Sequence, residues 1–535
     1  MAWFPRLREL EIEDCPKLLY VPSIPWTCAP CSAKIKRAGK GLNWLDYRKG
    51  IDWSHYSEDF SLEYCLEIRR KDAEDTMFWK VLAFHNLSAL KVLKMDKCPP
   101  LPLDCLQMLS SLRSLEIQNM SDALLMVQGE SYVKYKFPVE HMCIKYCGTN
   151  GKELTRLLSY FLNLSNLEIK NCQNIIGLGV AEAQEMRASS SANKVKTARI
   201  VHHQQQDTKG EEEIAAEGLL LLPPQLQMLE IWGCRELSLH PSDKETGWGG
   251  GGLQGLRSLR SLRIQFNPKF FSSFSSFPSS CYPFPRSLQQ LTLGYIDDGM
   301  ETPVPLSNLT SLTYLGIFEC GVLRFQGLWP LLEQGHLTRL SVTKTPNLLV
   351  GSDACCSSKL QELCTDDATR VITGPICSLL SSSLTSLKLE LDDRVEIFTK
   401  EQEEALQLLT SLQHLKFNWC EKLQHLPAGL HRLTNLKTLQ ISNCNAIQSL
   451  PKDGLPSSLQ ELHVSSCRAI QSLPKECLPS SLQELSIFWC PALRSLPKVE
   501  FLQSSLRELQ VYNSDSNELR KQCRKLRGTI PIVYA

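Results

Sequence analysis

The sequence predicts an α/β repeat solenoid, with a curved parallel β-sheet on its concave face and short turns or 3₁₀ segments on its convex face. Four consecutive segments share the template L-x-x-L-x-I-x-x-C-x-x-L-x-x-L-P, and their first leucines are Leu412, Leu436, Leu459 and Leu482. Apolar residues alternate with other residues over the L-x-I core of each copy. This alternation is the periodicity of a β-strand with one buried face.

The same template recurs along the whole chain at lower fidelity. Clear copies are LRELEIEDCPKL (7–18), LKVLKMDKCPPL (90–101), LSNLEIKNCQNI (164–175), LQMLEIWGCREL (226–237) and LTYLGIFECGVL (312–323). Weaker copies begin at Leu112, Val139, Leu259, Leu288, Leu337, Leu360, Leu384 and Leu506. About seventeen copies, spaced by about 23–24 residues in the best region, match leucine-rich repeats, so we predict a leucine-rich-repeat horseshoe.

Cysteine is abundant, with 22 residues in the chain. The amino terminus shows no secretory signal, so we predict reduced thiols rather than a disulfide framework. Many cysteines occupy the ninth template position, where the chain leaves the strand. We expect small buried side chains there, with weak S–H donors for loop carbonyls. The clearest examples are Cys15, Cys98, Cys172, Cys234, Cys320, Cys420, Cys444, Cys467 and Cys490.

Breaks in the template divide the chain. The polar stretches AEAQEMRASSSANK and HHQQQDTKGEEE predict a disordered loop, and the end of the solenoid needs a polar cap. The predicted organisation is a first repeat (1–18), an irregular insertion or degenerate repeats (19–86), repeats (87–176), the disordered loop (177–218), repeats with long loops at about 240–257 and 268–285 (219–512), and a C-terminal cap (513–535).

The charge and hydropathy of the chain limit the classes of partner that the sequence predicts. Lys plus Arg number 58 and Asp plus Glu 57, a net charge of +1 that indicates neither nucleic acid nor an anionic membrane as a partner. The longest apolar runs, such as GLLLLPP (218–224), are too short to span a bilayer. We therefore predict a monomer of the cytosol or nucleus.

Few motifs suggest chemistry. GGGLQG (250–255) matches G-x-G-x-x-G but precedes a repeat strand instead of a helix, and the Cys28-Ala-Pro-Cys31 pair lacks a second ligand pair. In HMCIKYC (141–147), the apolar residues and the last cysteine fall on inward positions. We predict a protein that is not an enzyme, with no catalytic residue, metal or cofactor. An enzyme with an unmarked site in 19–86 is the competing hypothesis.

The carboxyl-terminal segment LRKQCRKLRGTIPIVYA contains five basic residues between Arg520 and Arg527. They could form a patch for an acidic partner or lipid headgroups. Because the segment ends in the apolar TIPIVYA, we favour a cap on the last repeat.

The outward strand positions are the best candidates for binding. With the first leucine as position 1 and the cysteine as position 9, positions 3, 5 and 7 face outward. Exposed aromatic clusters mark binding surfaces, although some of these rings could instead pack on loops. The predicted protein-binding residues are the aromatic Trp232, Phe318, Trp419, Phe488, Trp489 and Tyr512 and the polar His414, Lys416, Glu461, His463 and Glu484.

Some sequence features of the repeats are more specific than the generic leucine-rich-repeat pattern. The segments that carry a family resemblance are AWFPRLRELEIEDCPKLL (2–19), VLAFHNLSALKVLKMDKCPPLPLDCLQMLSSL (81–112), the related units SLPKDGLPSSLQEL (449–462) and SLPKECLPSSLQEL (472–485), and LRKQCRKLRGTIPIVYA (519–535). The chain resembles the leucine-rich-repeat region of plant intracellular nucleotide-binding leucine-rich-repeat disease-resistance proteins, of the cereal coiled-coil class.

The resemblance implies a role in recognition. In that family the repeats sense pathogen effectors or modified host proteins and restrain a nucleotide-binding switch. ADP or ATP would belong to that switch module, whose P-loop is missing here. We expect a C-terminal fragment, an alternative gene model or a stand-alone repeat protein. The alternative function is an adaptor or scaffold, for example a ubiquitin-ligase substrate receptor.

Overall fold

The computed structural model describes residues 6–18, 24, 26, 31–38, 44–51, 64–69, 79, 82–120, 125–126, 137–181, 217–239, 252–272, 282–296, 306, 308–320, 332, 335–345, 358–390, 395–451, 454–473, 478–497, 505–512 and 517–534. The chain divides into two compact units, residues 1–288 with 292–300 and residues 289–291 with 301–535. Each unit is built as an α/β leucine-rich-repeat solenoid on a ladder of short strands.

The first unit has one strand per repeat, paired in register with its neighbours. The ladder strands are β1 (Glu9–Glu13), β2 (Cys31–Lys36), β3 (Trp44–Ile51), β4 (Tyr64–Arg69), β5 (Val92–Asp96), β7 (Ser114–Gln118), β9 (His141–Lys145), β10 (Asn166–Lys170), β13 (Met228–Trp232) and β14 (Ser261–Gln265). Two additional parallel pairs join β6 (Leu101–Pro102) to β8 (Leu125–Met126) and β11 (Gly177–Val180) to β12 (Leu219–Leu222). Pairing in the ladder is parallel except at β3.

The exception lies within residues 19–86, which the sequence predicts to be an irregular insertion or degenerate repeats. β3 runs antiparallel to both β2 and β4. Only residues 37–43 connect β2 to β3, whereas a parallel connection needs about a dozen residues or more. The short connection therefore permits only a reversal. Leu45 and Tyr47 of β3 are fully buried, so this irregular region still contributes to the core.

The second unit continues the repeat with parallel strands throughout the described ladder. They are β16 (Tyr314–Phe318), β17 (Arg339–Thr343), β18 (Glu362–Thr365), β19 (Ser386–Leu389), β20 (His414–Asn418), β21 (Thr438–Ser442), β22 (Glu461–Ser465), β23 (Glu484–Phe488), β24 (Glu508–Tyr512) and β25 (Ile532–Tyr534). The strand β15 (Gln290–Gly294) has residues in both units.

The core consists of the side chains at positions 4 and 6, as the alternation predicts. Leu485 and Ile487 of β23 have exposed fractions of 0% and 2%, and Leu462 and Val464 of β22 have 0% and 1%. Each strand pairs these residues with the same positions of the next strand. Continuous rows of aliphatic side chains therefore run beneath each ladder.

The position-9 cysteines are buried structural thiols as predicted, except Cys15, which is exposed because no core residue of the first strand β1 is fully buried. Cys490 Sγ donates to the carbonyl oxygen of Phe488 at 3.4 Å and lies 3.8 Å from that of Val464 in the preceding repeat. Cys444 and Cys467 make the equivalent contacts. Asn267 occupies the same slot in its repeat, and its amide bonds the backbone of Ile231, Cys234 and Gln265.

The return segments are more helical than the sequence predicts. The 3₁₀ turns Phe84–Leu87 and Ala428–Arg432 agree with the prediction. The α-helices are α1 (Leu103–Gln107), α2 (Gly151–Leu158), α3 (Ala368–Val371), α4 (Gly374–Leu380), α5 (Lys400–Leu406) and α6 (Asn517–Leu526). A capping box explains the start of α5, because Thr399 and Gln402 satisfy each other's backbone N–H groups.

The described ends of the predicted loops belong to the fold. Gly177–Val180 is strand β11, so the predicted disordered loop cannot begin at 177; residues 182–216 lie outside the described residues. In the predicted loop 268–285, Phe270, Phe271 and Phe284 are buried and in edge-to-face contact. These aromatic residues are core, which their Ser- and Pro-rich surroundings conceal in the sequence.

The carboxyl terminus closes the second ladder. Leu519, Cys523 and Leu526 of α6 are buried at helical spacing, while its basic residues are exposed. β25 then pairs with β24, so that Glu508 lies opposite Ile532. An unpaired edge strand invites association with other chains, and β25 covers the edge of β24.

The cysteine slot leads to a stability prediction. Replacement Cys444→Ala removes two S–H contacts and leaves a small cavity, because Cys444 is fully buried. We expect the free energy of unfolding to fall by about 1–3 kcal/mol. The control Cys15→Ala affects the same slot at an exposed site and should change it by less than about 0.5 kcal/mol, measured by urea denaturation. Equal losses in the two variants would contradict a structural role for the buried thiol.

Candidate functional site

The outer face of each ladder carries the side chains at positions 3, 5 and 7, together with the residue at position 8 that follows the strand. In β23 these are Glu484, Ser486, Phe488 and Trp489. They point away from the aliphatic core because successive side chains of a strand alternate between its two faces. This face is the surface on which every predicted binding residue lies.

Position 8 has a left-handed backbone in repeat after repeat. Its φ values include +56° at Trp419, +56° at Asn443, +54° at Ser466 and +55° at Trp489. In this conformation the position-8 amide still reaches the next strand: the Trp489 N–H donates to the carbonyl oxygen of Tyr512 at 3.2 Å. The chain thus turns away from the sheet without losing a ladder hydrogen bond.

Bulky aromatic residues are unexpected at this position. The left-handed region costs a non-glycine residue roughly 1–2 kcal/mol, and asparagine tolerates it best among the others. Nevertheless Trp419 and Trp489 occupy it with 57% and 63% of their surfaces exposed. Both indoles therefore lie outside the aliphatic core.

The predicted aromatic residues at the end of the second unit form a stacked row. The Phe488 and Tyr512 rings lie 5.3 Å apart with an interplanar angle of 10°, and the Tyr512 and Tyr534 rings lie 6.4 Å apart at 22°. The sequence analysis missed Tyr534, although its position two residues after the outward Ile532 is a usable signal. Trp419 follows β20, which is about 14 Å of strand spacing from β23, and is a separate exposed ring.

The predicted polar residues divide into two groups. Glu461, His463 and Glu484 come together: His463 Nε2 lies 3.6 Å from Glu461 Oε2, and its Nδ1 lies 3.8 Å from Glu484 Oε1. His414 and Lys416 lie on β20, separated from Glu461 by β21. The structure therefore does not join all five residues in one site.

The first unit has an aromatic cluster of its own. The Trp232 and Phe266 rings are in edge-to-face contact with their centroids 4.9 Å apart, and the Phe266 and Tyr295 rings are stacked with their centroids 3.8 Å apart. The sequence analysis identified only Trp232, because Phe266 and Tyr295 occupy position 8 of weak template copies. Their φ values of +58° and +55° repeat the strained position seen at Trp419.

Phe318 of the second unit packs over glycine. A Cβ on Gly316 would lie 3.0 Å from Phe318 Cε2 and 2.8 Å from the Tyr314 hydroxyl, so only glycine leaves room for both rings over the strand. The Arg339 guanidinium carbon lies 5.4 Å from the centroid of the Tyr314 ring. Phe318 therefore belongs to a packed surface group and is only partly available to a ligand.

Charges on the outer face of the first unit are internally matched. Lys145 Nζ lies 2.6 Å from Glu116, and Lys170 Nζ lies 2.8 Å from Glu168 and 3.0 Å from Glu230. Burial acts to lower the pKa of Lys170, but its hydrogen bonds to the two glutamates outweigh burial and raise that pKa above its usual range. This part of the face carries no unbalanced acidic row.

Burial makes Cys234 and Cys377 poor nucleophiles. Burial raises the pKa of Cys234 to about 11 and that of Cys377 to about 12, so both are neutral at physiological pH. Cys31 of the Cys-Ala-Pro-Cys segment lies buried in β2, and Cys28 falls outside the described residues. Within the described ranges, no group of three or more His, Cys, Asp or Glu side chains could hold a metal ion.

Comparisons with known proteins return structures but no family. No helix among the described residues is long and apolar enough to cross a membrane. No protein-family model matches the chain, and no curated protein matches it. Three similar solved structures are a chain of the TLR13–ssRNA13 complex, an internalin (InlF) from Listeria monocytogenes, and CroV588, described as a novel circular leucine-rich-repeat protein.

These similarities are distant. The TLR13 match has 15% identity and a TM-score of 0.43, and it covers 81% of this chain but only 64% of that one. The internalin match has 14% identity, a TM-score of 0.31 and coverages of 70% and 86%. The CroV588 match has 16% identity, a TM-score of 0.35 and coverages of 78% and 67%. No functional statement about this chain follows from them.

The left-handed position 8 gives a second stability prediction. Trp489→Asn and Trp489→Val both remove the indole, but a β-branched residue fits the left-handed region poorly. We expect the Asn variant to be more stable than the Val variant by about 1–2 kcal/mol in urea denaturation. Thr343 is the outward last residue of strand β17, where valine is favoured over asparagine. There we expect the Thr343→Val variant to be more stable than the Thr343→Asn variant. The same order at both sites would refute the conformational explanation.

Proposed function

We propose that this chain is the non-catalytic protein-recognition solenoid of a plant intracellular immune receptor. It would sense a pathogen effector or a modified host protein through its outer face. The observation that carries the proposal is the exposure of Trp419 and Trp489 at the left-handed position 8 of the outer face. Exposed tryptophans are frequent binding hot spots, because a partner that covers them buries a large apolar surface.

The sequences of particular repeats support the proposed role in an immune receptor. The SLPKDGLPSSLQEL and SLPKECLPSSLQEL units and the ending LRKQCRKLRGTIPIVYA resemble cereal disease-resistance proteins, as described above. In that setting a second partner is the nucleotide-binding module of the same or a related receptor, which the repeats restrain. ADP or ATP would bind that module and not this chain. We propose a monomer in the cytosol or nucleus that binds neither nucleic acid nor membrane.

A binding experiment tests the recognition surface. The triple variant Trp419→Ser, Phe488→Ser and Trp489→Ser should weaken binding to an effector or host-protein ligand by at least about 100-fold, because each ring is a candidate hot spot. The ligand is first found with the wild-type chain in a panel of purified pathogen effectors and host proteins, by biolayer interferometry.

The control replaces exposed apolar residues that lie outside the strands of the same unit, with Ile397→Ser and Leu408→Ser. This variant should bind within about twofold of the wild type. The triple variant should also keep the melting behaviour of the wild type. A large loss of thermal stability, or equal loss of binding in both variants, would show that the rings serve folding or that binding lies elsewhere.

A second experiment tests the immune role. The chain is co-expressed in leaf cells with a constitutively active coiled-coil and nucleotide-binding module from a cereal receptor of the same class. If the repeats restrain the switch, cell death should fall by at least about half, and the two polypeptides should co-precipitate. Undiminished cell death without co-precipitation would count against the receptor assignment and in favour of a stand-alone adaptor.

A further inference from the structure

A row of three acidic side chains runs beside the stacked aromatic rings in the second unit. Glu461, Glu484 and Glu508 all occupy position 3, and the strand register places Glu484 directly opposite both of the others. Adjacent strands are about 4.8 Å apart, so the three carboxylates span roughly 10 Å. Like charges opposite each other on a sheet are destabilising.

The described polar partners of this row are mainly neutral hydrogen-bond donors. Thr438 Oγ1 donates to Glu461 at 3.0 Å, Ser486 Oγ donates to Glu484 at 2.9 Å, and Gln510 Nε2 donates to Glu508 at 2.6 Å. His463 lies between the first two carboxylates at 3.6 and 3.8 Å. Among the described residues, no lysine or arginine forms an ion pair with the row.

The first unit shows what an internally matched face looks like. There, Glu116, Glu168 and Glu230 lie on β7, β10 and β13, and Lys145 of β9 and Lys170 of β10 pair with them within 3.0 Å. The repeat can therefore place a lysine beside each glutamate. In β22, β23 and β24 the corresponding outward positions hold serine, histidine, glutamine and aromatic residues instead. The negative charge of this face is left for a partner.

A strip of the outer face lies between the acidic row and the aromatic row. It is formed by the position-5 residues His463, Ser486 and Gln510, of which Ser486 is buried beneath its neighbours, and Tyr534, which pairs with Gln510, lies at its β25 end. Positions 3 and 7 are four residues apart on each strand, so the two rows lie about 13 Å from each other. An extended chain laid over the strip would send alternate side chains about 6.5 Å to each side.

We propose that these two rows of the outer face bind an extended basic segment of the partner protein. Arginine or lysine side chains at alternate positions, about 6.7 Å apart, would lie over the acidic row. The remaining side chains would lie on Phe488, Tyr512 and Trp489. Arginine fits best, because its guanidinium both bonds carboxylates bidentately and stacks on aromatic faces. The proposal rests on the proposed function, since it names the chemistry of the ligand for the same outer face.

The test uses the full chain and a defined probe. A fluorescent peptide that alternates arginine with leucine is titrated with the protein at about 100 mM salt, and fluorescence anisotropy is measured. A peptide with glutamate in place of arginine, and a single-stranded RNA oligonucleotide, are the comparison probes. The arginine peptide should bind at least about tenfold more tightly than either, and its affinity should fall as salt rises.

Matched variants locate the site. Glu461→Gln, Glu484→Gln and Glu508→Gln together remove the row without changing side-chain shape, and should weaken arginine-peptide binding by at least about tenfold. The control removes three exposed glutamates of the same unit with Glu362→Gln, Glu404→Gln and Glu421→Gln, one of which (Glu362) also occupies position 3. It should change the affinity by less than about twofold. Circular dichroism should show both variants folded.

Several outcomes would overturn the proposal. They are equal binding by the row variant and the control, no binding of the arginine peptide to the wild type, or tighter binding of the glutamate peptide or RNA. The proposed function and the basic-segment proposal fail under different results. If a protein ligand no longer binds the aromatic triple variant but binds the row variant with unchanged affinity, the recognition proposal stands and the basic-segment proposal fails. If no protein ligand depends on the aromatic residues, recognition by this face falls as well.

Discussion

The turn that ends each strand is the constraint on which the rest of the structure depends. After position 7 the chain must leave the sheet while its backbone groups stay hydrogen-bonded, because unpaired buried amides and carbonyls are costly. A left-handed residue at position 8 keeps the ladder intact, as the Trp489 N–H does with the Tyr512 carbonyl. The thiol of Cys490 then satisfies carbonyls of its own and the preceding repeat. The left-handed backbone at position 8 and the buried cysteine at position 9 thus act together to satisfy the backbone groups at this turn.

The turn separates the side chains that form the core from those of the outer face. In the template copies after β1, the described residues at positions 4, 6 and 9 are buried, so they carry the stability of each repeat. Position 8 needs only a tolerable left-handed conformation, and it holds Asn443, Ser466 and Trp489 in three successive repeats. Its side chain projects from the outer face and does not enter the aliphatic core. The outer face can therefore vary while the ladder beneath it stays the same.

The two units use the outer face differently. In the first unit, lysines and glutamates on adjacent strands neutralise one another, and Trp232, Phe266 and Tyr295 pack together. In the second unit, β22 to β25 place an acidic row and an aromatic row side by side with only His463 and neutral donors between them. The contrast arises from a few outward side chains, because the strands below follow one register.

The sequence by itself determined the repeat, its spacing, the inward leucine rows, the structural role of the cysteines and the outward placement of Phe488 and Trp489. All of these follow from alternation and spacing between residues close along the chain, which a single sequence displays. Only the tertiary structure decided that β3 reverses direction, that Phe270 and Phe284 are core, and that Tyr534 extends the aromatic row. It also decided that His463 lies between Glu461 and Glu484. These features depend on which strands become neighbours and in what register, and the physical reason is that such pairings join residues far apart in the chain, where local periodicity carries no information.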